Sequence, residues 1–185
     1  MSFNDVGNSQ QIITVDSSGS SCKVGFYEKS RENWCCLLET NGIVGKNGVS
    51  NQSCEGDYRT PSGIYSLGFA FGTKSLNDID YEYRLINSNC YWVDDPHSPM
   101  YNQWVESSNI TWNSAEHLID YPQAYKYAVV INYNMSPVVS GKGSAIFLHC
   151  MTGSYTAGCV AIPESTMKFI IKQLDSTKNP IIIIE

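Results

Sequence analysis

A histidine and two cysteines lie close together in the stretch FLHCMTGSYTAGCVAI, which runs from Phe147 to Ile162. His149, Cys150 and Cys159 could bind a metal, form a disulfide, fill an apolar core, or act as a nucleophile with its base. The alternation of a β-strand places His149 and Cys150 on opposite faces, so the two cannot readily share one metal ion. The other two histidines of the chain lie in polar loop sequence without ligand spacing, and we expect neither a metal nor a cofactor.

Cys159 is the stronger candidate for a nucleophile. Gly158 directly precedes it, so the backbone N–H groups there can approach a substrate oxygen closely, as an oxyanion hole requires. A loop from Met151 to Gly158 can return the chain so that His149 and Cys159 face each other on neighbouring strands. A histidine in that position can take the thiol proton and leave a reactive thiolate. The residues alone support a catalytic pair and two buried core residues about equally.

Length and charge narrow the class of protein. The chain has 185 residues, enough for one well-buried domain, and its formal net charge is −6 with no basic run. An acidic surface argues against nucleic acid or an anionic membrane as the main partner. Because no apolar stretch approaches the length of a membrane span, we expect no membrane-spanning segment in this chain. We also expect a monomer.

Compartment and cysteine state remain open from the sequence. The first ten residues, MSFNDVGNSQ, lack the charged and apolar regions of a signal peptide, so the protein is either cytosolic or has lost a leader. The chain has seven cysteines, an odd number. We expect most of them to be small buried hydrophobes, with one or two disulfides as the alternative.

The hydrophobic patterning predicts strands and one helix. Strand-like runs occur at Ile12–Val15, Cys22–Tyr27, Ile64–Leu67, Tyr125–Asn134, Ala145–Cys150, Cys159–Ile162 and Ile181–Ile184. After Pro163, the apolar residues Met167, Ile170, Ile171 and Leu174 follow helical spacing. Thr60–Gly63 has the composition of a turn. The middle, about residues 73 to 123, lacks clear periodicity and is expected to be an irregular functional insertion or a lid-like flap.

The blocks AIFLHC and TAGCVAIP resemble the active-site region of the L,D-transpeptidase (YkuD-type) family. In that family a histidine closes a strand, and Ser or Thr, His, Gly and a nucleophilic Cys follow. Further similar blocks occur in family order, namely EGDYRTPSGIYSLGFAFG, YWVDDPHSPMYNQWV, EHLIDYPQAYKYAVVINYN and PVVSGKGSAIFLHC. The resemblance implies a mainly β, single-domain sandwich or barrel over residues 1–185, with few short helices and an irregular flap. The N-terminal strands would occupy about 10–50, and the core with the active site about 125–185.

The resemblance also implies the catalytic roles. Cys159 would be the nucleophile and His149 the general base. The backbone carbonyl of Cys150 would accept the Nδ1–H of His149 and fix its tautomer. The N–H groups of Gly158 and Cys159 would form the oxyanion hole.

On the substrate side, the resemblance implies that Thr156, Ala157, Tyr133, Pro61 and Gly63 contact the substrate. Thr156 matches the Ser or Thr of the family motif. Two other positions depart from it. Ala157 replaces the usual histidine before the glycine, and Ala161 replaces the usual Asn or Arg two residues after the nucleophile. Because neither is the nucleophile or the base, we expect the chemistry to survive these changes.

The implied reaction is acyl transfer on peptidoglycan tetrapeptide stems. The thiolate would attack the bond before the terminal D-alanine, and an amine (transpeptidase) or water (carboxypeptidase) would resolve the thioester. A non-catalytic wall-binding module remains an alternative. A papain-like or NlpC-type peptidase is another, although those families place Cys before His in the chain. Such a substrate implies a wall-facing or secreted location, with cytosolic or vesicular locations still open.

Overall fold

The computed structural model describes residues 6–185, so the first five residues of the segment compared with signal peptides lie outside it. The strands are β1 Gln11–Ser18, β2 Ser21–Ser30, β3 Asn33–Ile43, β4 Val49–Ser50, β5 Thr60–Pro61, β6 Gly63–Gly72, β7 Tyr83–Leu85, β8 Cys90–Val93, β9 Gln103–Glu106, β10 Ala115–His117, β11 Ala128–Ile131, β12 Phe147–Cys150, β13 Val160–Ile162 and β14 Ile181–Ile184. Helix α1 spans Glu164–Gln173, and short 3-10 turns lie at Leu118–Asp120, Ala124–Lys126 and Ser176–Lys178. Strands make up 41% of the chain, and the prediction of a mainly β sandwich or barrel with few short helices is confirmed.

One sheet forms the frame of the molecule. Its strand order is β11-β12-β13-β3-β2-β1-β14-β6-β7, and β11 also pairs with β6, so the sheet closes on itself. Strand β14 runs parallel to β1, with Ile12 opposite Ile181, and antiparallel to β6 on its other side. The two ends of the described chain therefore meet inside one sheet.

The main core lies between the inner face of this sheet and helix α1. Strand β1 turns Ile13 and Val15 inward, as its alternation requires. The predicted helix is confirmed, and Met167, Ile170 and Ile171 on its inner face are completely buried. Burying each such side chain contributes roughly 1.5–3 kcal/mol relative to leaving it exposed.

The middle segment is more regular than the sequence predicted. It contains β7 to β10, and three of these strands form a small sheet in the order β10-β8-β9. Each has only three or four residues, too few for a visible alternation. The turn predicted at Thr60–Gly63 is wrong for three of its four residues, because Thr60 and Pro61 form β5, which pairs with β4, and Gly63 begins β6. The tyrosine that opens the predicted strand 125–134 lies instead in the 3-10 turn before β11.

The small sheet packs against the outer face of the main sheet and forms a second core. Its members come from both sheets and from the adjoining turns and loops. They are Phe71, Ile86, Cys90, Trp92, Leu118, Tyr125, Ala128, Val130, Ala145, Phe147 and Cys159. Trp92 is 1% exposed and stands edge-to-face against Phe147, with ring centroids 4.9 Å apart. The middle segment therefore covers the face of the main sheet that carries Cys159.

Candidate active site

Two neighbouring parallel strands position the histidine and the second cysteine. His149 of β12 lies opposite Ala161 of β13, and Cys159 comes immediately before β13. The predicted alternation is confirmed, because Phe147 and Cys159 belong to the outer core, whereas Cys150 belongs to the main core. The thiols of Cys150 and Cys159 are thus separated by the thickness of the sheet.

The imidazole of His149 is buried and held by backbone. Its Nδ1 lies 2.9 Å from the carbonyl oxygen of Cys150, the contact that the resemblance implied. A carbonyl oxygen only accepts, so Nδ1 carries the proton and Nε2 has a free lone pair. Burial lowers the pKa of His149 to about 4, and the bond to Cys150 opposes this shift. The side chain is therefore neutral at pH 7 and can take a proton through Nε2.

The thiol of Cys159 is also buried and makes two backbone contacts. Sγ donates to the carbonyl oxygen of Ala145 at 3.2 Å and accepts from the amide of Phe147 at 3.3 Å. Burial, and second the nearby Glu116, raise the pKa of Cys159, while the Phe147 amide lowers it. A neutral thiol consequently faces Ala145 in this arrangement. Both of these contacts of Sγ are with backbone groups and not with His149.

The return loop is held by two threonine hydroxyls. Thr156 Oγ1 donates to the carbonyl oxygen of Cys159 at 2.6 Å and accepts from the amide of Gly158 at 3.2 Å. Thr60 Oγ1 donates to the same carbonyl at 3.3 Å. A Cβ on Gly158 would lie 3.0 Å from the backbone oxygen of Arg59, so the close approach of these segments favours glycine. The Thr156 hydroxyl thus stabilises the loop, and the Gly158 amide is already hydrogen-bonded to this hydroxyl.

We expect Thr156→Val to destabilise the protein. The substitution keeps the side-chain shape but removes the donor to Cys159 and leaves the Gly158 amide buried without its acceptor. The free energy of unfolding, measured in urea, should fall by about 1–3 kcal/mol. The matched change Thr40→Val on β3, whose hydroxyl bonds only the carbonyl of Asn41, should cost less than about 0.5 kcal/mol. Equal losses in the two variants would contradict this role for Thr156.

Three of the five residues expected to contact the substrate line one small cavity beside the return loop. These are Pro61, Tyr133 and Ala157. Gly63 instead begins β6 opposite Ile184, and Thr156 points into the loop as described. The structure therefore brings together residues that are far apart in the sequence.

The sequence did not indicate Asn102, which is 1% exposed and links the small sheet to the site. Its Nδ2 donates to the carbonyl oxygens of Tyr133 at 3.0 Å and Asn134 at 2.9 Å. Its Oδ1 accepts from Trp92 Nε1 at 2.9 Å and from the amide of Ala145 at 3.1 Å. Ala145, whose carbonyl oxygen accepts the hydrogen bond from the Cys159 thiol, has a left-handed φ of 54°. Asn102 thus holds the strained segment against which Cys159 rests.

Glu116 and Tyr125 were also not predicted to be near the site. The Tyr125 hydroxyl donates to Glu116, and its ring contacts that of His149. Their sequence signals are weak because Glu116 lies in a three-residue strand and Tyr125 in a short turn.

Residues 6–185 contain neither a metal-binding cluster nor a helix able to span a membrane. Within that range no group of three or more His, Cys, Asp or Glu side chains is arranged to hold a metal ion. In the same range no helix has the length and apolar character needed to cross a membrane. The seven cysteines are free thiols, of which Cys22, Cys90, Cys150 and Cys159 are buried.

Comparison with known proteins agrees with the fold. The chain superposes on a structure described as that of Bdellovibrio bacteriovorus Bd1075 with a TM-score of 0.52 at 16% sequence identity. The match covers 98% of this chain and 50% of that one, so this chain spans half the length of that protein. No curated protein matches the chain in sequence.

The family model for the L,D-transpeptidase catalytic domain, YkuD, matches residues 11–183, nearly the whole chain. This range includes both strands that carry His149 and Cys159, the return loop between them and the covering small sheet. The chain therefore belongs to the YkuD family of L,D-transpeptidase catalytic domains.

Proposed function

We propose that this protein catalyses acyl transfer on peptidoglycan tetrapeptide stems through a thioester on Cys159. The observation that carries the proposal is the 2.9 Å contact of His149 Nδ1 with the Cys150 carbonyl, which leaves Nε2 as a base beside the strand that begins after Cys159. Membership of the L,D-transpeptidase family supports the choice of substrate. Peptidoglycan as the target favours a wall-facing or secreted location.

In the first half-reaction, Sγ turns from the Ala145 carbonyl toward His149, and Nε2 takes the thiol proton. The thiolate forms a bond to the carbonyl carbon that precedes the terminal D-alanine. The Cys159 amide, and the Gly158 amide once it leaves Thr156, stabilise the oxyanion, each donor contributing about 3 kcal/mol. The C–N bond then breaks, and the proton on Nε2 goes to the departing D-alanine.

In the second half-reaction, an amine of another stem or a water molecule attacks the thioester. His149 takes a proton from this nucleophile, the carbon–sulfur bond breaks, and the thiolate regains a proton from Nε2. An amine gives a cross-link, and water gives a shortened stem. Dividing the transfer into two steps through a positioned thiolate is the general advantage of covalent catalysis.

A test incubates the protein with a disaccharide-tetrapeptide and follows the products by mass spectrometry. Release of D-alanine with an adduct on the peptide that contains Cys159 supports the proposal. A cross-linked dimer identifies the amine route, and a tripeptide stem identifies the water route. If neither a product nor an adduct with a carbapenem forms, the non-catalytic wall-binding alternative is favoured and the proposal fails.

The pH dependence of this reaction should report the buried base. Because burial lowers the pKa of His149 from 6.5 to about 4, Nε2 stays unprotonated down to about pH 4. We therefore expect kcat/KM for D-alanine release, measured between about pH 3.5 and 8, to stay constant on the acid side until it falls near pH 4. The same shift makes the folded state less stable as the pH falls from 6.5 toward 4, because the unfolded chain binds that proton first. Circular dichroism at each pH separates loss of fold from loss of the base, and a limb near pH 6.5 would contradict the assignment.

A further inference from the structure

A tyrosine and a glutamate from separate elements meet beside the candidate catalytic pair. Glu116 lies on β10 of the small sheet, and Tyr125 lies in the 3-10 turn that precedes β11. The Tyr125 hydroxyl donates a short hydrogen bond to the Glu116 carboxyl. Tyr125 is 5% exposed, so this bond forms inside the outer core. It joins the small sheet to the turn before β11, beside His149.

The ring of Tyr125 contacts the base directly. It stands edge-to-face against the His149 imidazole, with centroids 5.6 Å apart and an interplanar angle of 88°. A similar contact with Phe147 has a centroid distance of 5.6 Å. The Tyr125 backbone is fixed as well, because its amide donates to Tyr121 at 2.8 Å and its carbonyl accepts from Thr73 at 2.9 Å. The imidazole is thus held through Nδ1 by Cys150 and across its ring by Tyr125.

The charge of Glu116 affects the pKa of Cys159. Burial raises the pKa of Glu116 to about 7; the Tyr125 hydroxyl lowers it, and Asp94 and Glu55 raise it further. Glu116 in turn raises the pKa of Cys159 and of the two tyrosines at its sides, Tyr121 and Tyr125. Because two negative charges close together repel each other, an ionised Glu116 opposes formation of the Cys159 thiolate.

We propose that Tyr125 and Glu116 are positioning residues for the catalytic pair, with Glu116 fixing the Tyr125 ring through its hydroxyl and the ring fixing the plane of the His149 imidazole. The proposal rests on the function proposed above. Neither side chain takes part in bond making. Their effect is on the orientation of Nε2 and, through the charge of Glu116, on the ease with which Cys159 loses its proton.

The test compares four variants in a protein in which the three exposed cysteines, Cys35, Cys36 and Cys54, are replaced by serine. Tyr125→Phe keeps the ring and removes the hydroxyl, and we expect kcat for D-alanine release to fall about ten-fold with little change in KM. Glu116→Ala should give a similar loss. Glu116→Gln retains an acceptor for the hydroxyl and should restore kcat to within about three-fold of the parent. Tyr81→Phe, which removes a buried hydroxyl bonded to the Leu67 carbonyl in the main core, should leave kcat unchanged.

A second measurement follows alkylation of Cys159 by iodoacetamide against pH, with the modified peptide quantified by mass spectrometry. Above about pH 7, where Glu116 is ionised, Glu116→Gln should alkylate several-fold faster than the parent because the opposing charge is gone. Near pH 5 the two proteins should react equally. A purely structural role for Glu116 would not produce this difference in the pH profile.

Two results would overturn the proposal: an unchanged kcat in Tyr125→Phe, or identical alkylation profiles for Glu116→Gln and the parent. Thermal unfolding of each variant shows whether it folds, and Tyr125→Phe is the mildest change. Failure of the proposed function itself is distinguishable, because then the parent protein would release no D-alanine and form no adduct. If the parent reacts and the variants match it, only the positioning role is wrong.

Discussion

Cys159→Ala should abolish both the thioester adduct and the release of D-alanine, a loss of more than about 10³-fold in kcat/KM. The substitution removes the sulfur atom that bonds to the substrate in the proposed mechanism, and it leaves His149 and its contact with Cys150 in place. Alanine is smaller than cysteine, so the two backbone contacts of Sγ are lost without overpacking. The measurement is intact-protein mass after incubation with a tetrapeptide stem or a carbapenem, together with D-alanine in solution.

The matched control is Cys22→Ala, which also removes a buried thiol. Cys22 is 6% exposed in the main core, and burial raises its pKa to about 11. This variant should form adduct and product at the parent rate while losing some stability. Residual product in Cys159→Ala equal to that of Cys22→Ala would refute the assignment of the nucleophile. Peptide binding that persists in Cys159→Ala without turnover is compatible with the proposal, because the substitution leaves the cavity lined by Pro61, Tyr133 and Ala157 unchanged.

His149→Ala is the second large effect, with an expected loss in the rate of thioester formation of roughly 10²–10⁴-fold. Burial of Cys159 makes its thiolate unfavourable, so the proton needs an acceptor within the same buried space. In the proposed mechanism Nε2 of His149 is that acceptor, and alanine supplies none. Single-turnover formation of the adduct, followed by quenched mass spectrometry, measures this step separately from resolution by water or amine.

The control for His149 is His97→Ala, which removes an exposed loop histidine whose amide is held by Asp95. It should leave the rate unchanged. An adduct in His149→Ala that forms as fast as in the parent would show that another group accepts the thiol proton.

The sequence was sufficient to predict the fold class, the single helix and the strands around the site. The strands and the helix were predicted from local patterns, namely apolar runs such as Ile12–Val15 and the helical spacing after Pro163, whereas the sandwich or barrel was implied by the family resemblance. The opposite facing of Cys150 and Cys159 followed from the alternation of side chains along a β-strand. Local periodicity is informative where one face of an element is buried over several residues.

The surroundings of the pair could not be predicted, because they arise from contacts between distant segments. Asn102, Glu116 and Tyr125 lie in short strands or turns with no periodicity of their own. The sequence also could not show that the Thr156 hydroxyl bonds to the carbonyl of Cys159. Rotation about one side-chain bond determines whether this hydroxyl points into the loop or toward a substrate. The lowered pKa of His149 likewise depends chiefly on burial in the folded chain, which no local pattern reveals.

The position of β14 between β1 and β6 has a consequence for the synthesis of the protein. On the ribosome, the sheet remains an open ribbon with free edges on β1 and β6 until Ile181–Ile184 has emerged. Cys159 leaves the tunnel earlier, when the sheet that contains its neighbouring strands is not yet closed. The sheet can therefore close only after β14 has been made, and nascent chains that stop before β14 expose two edges to chaperones and proteases.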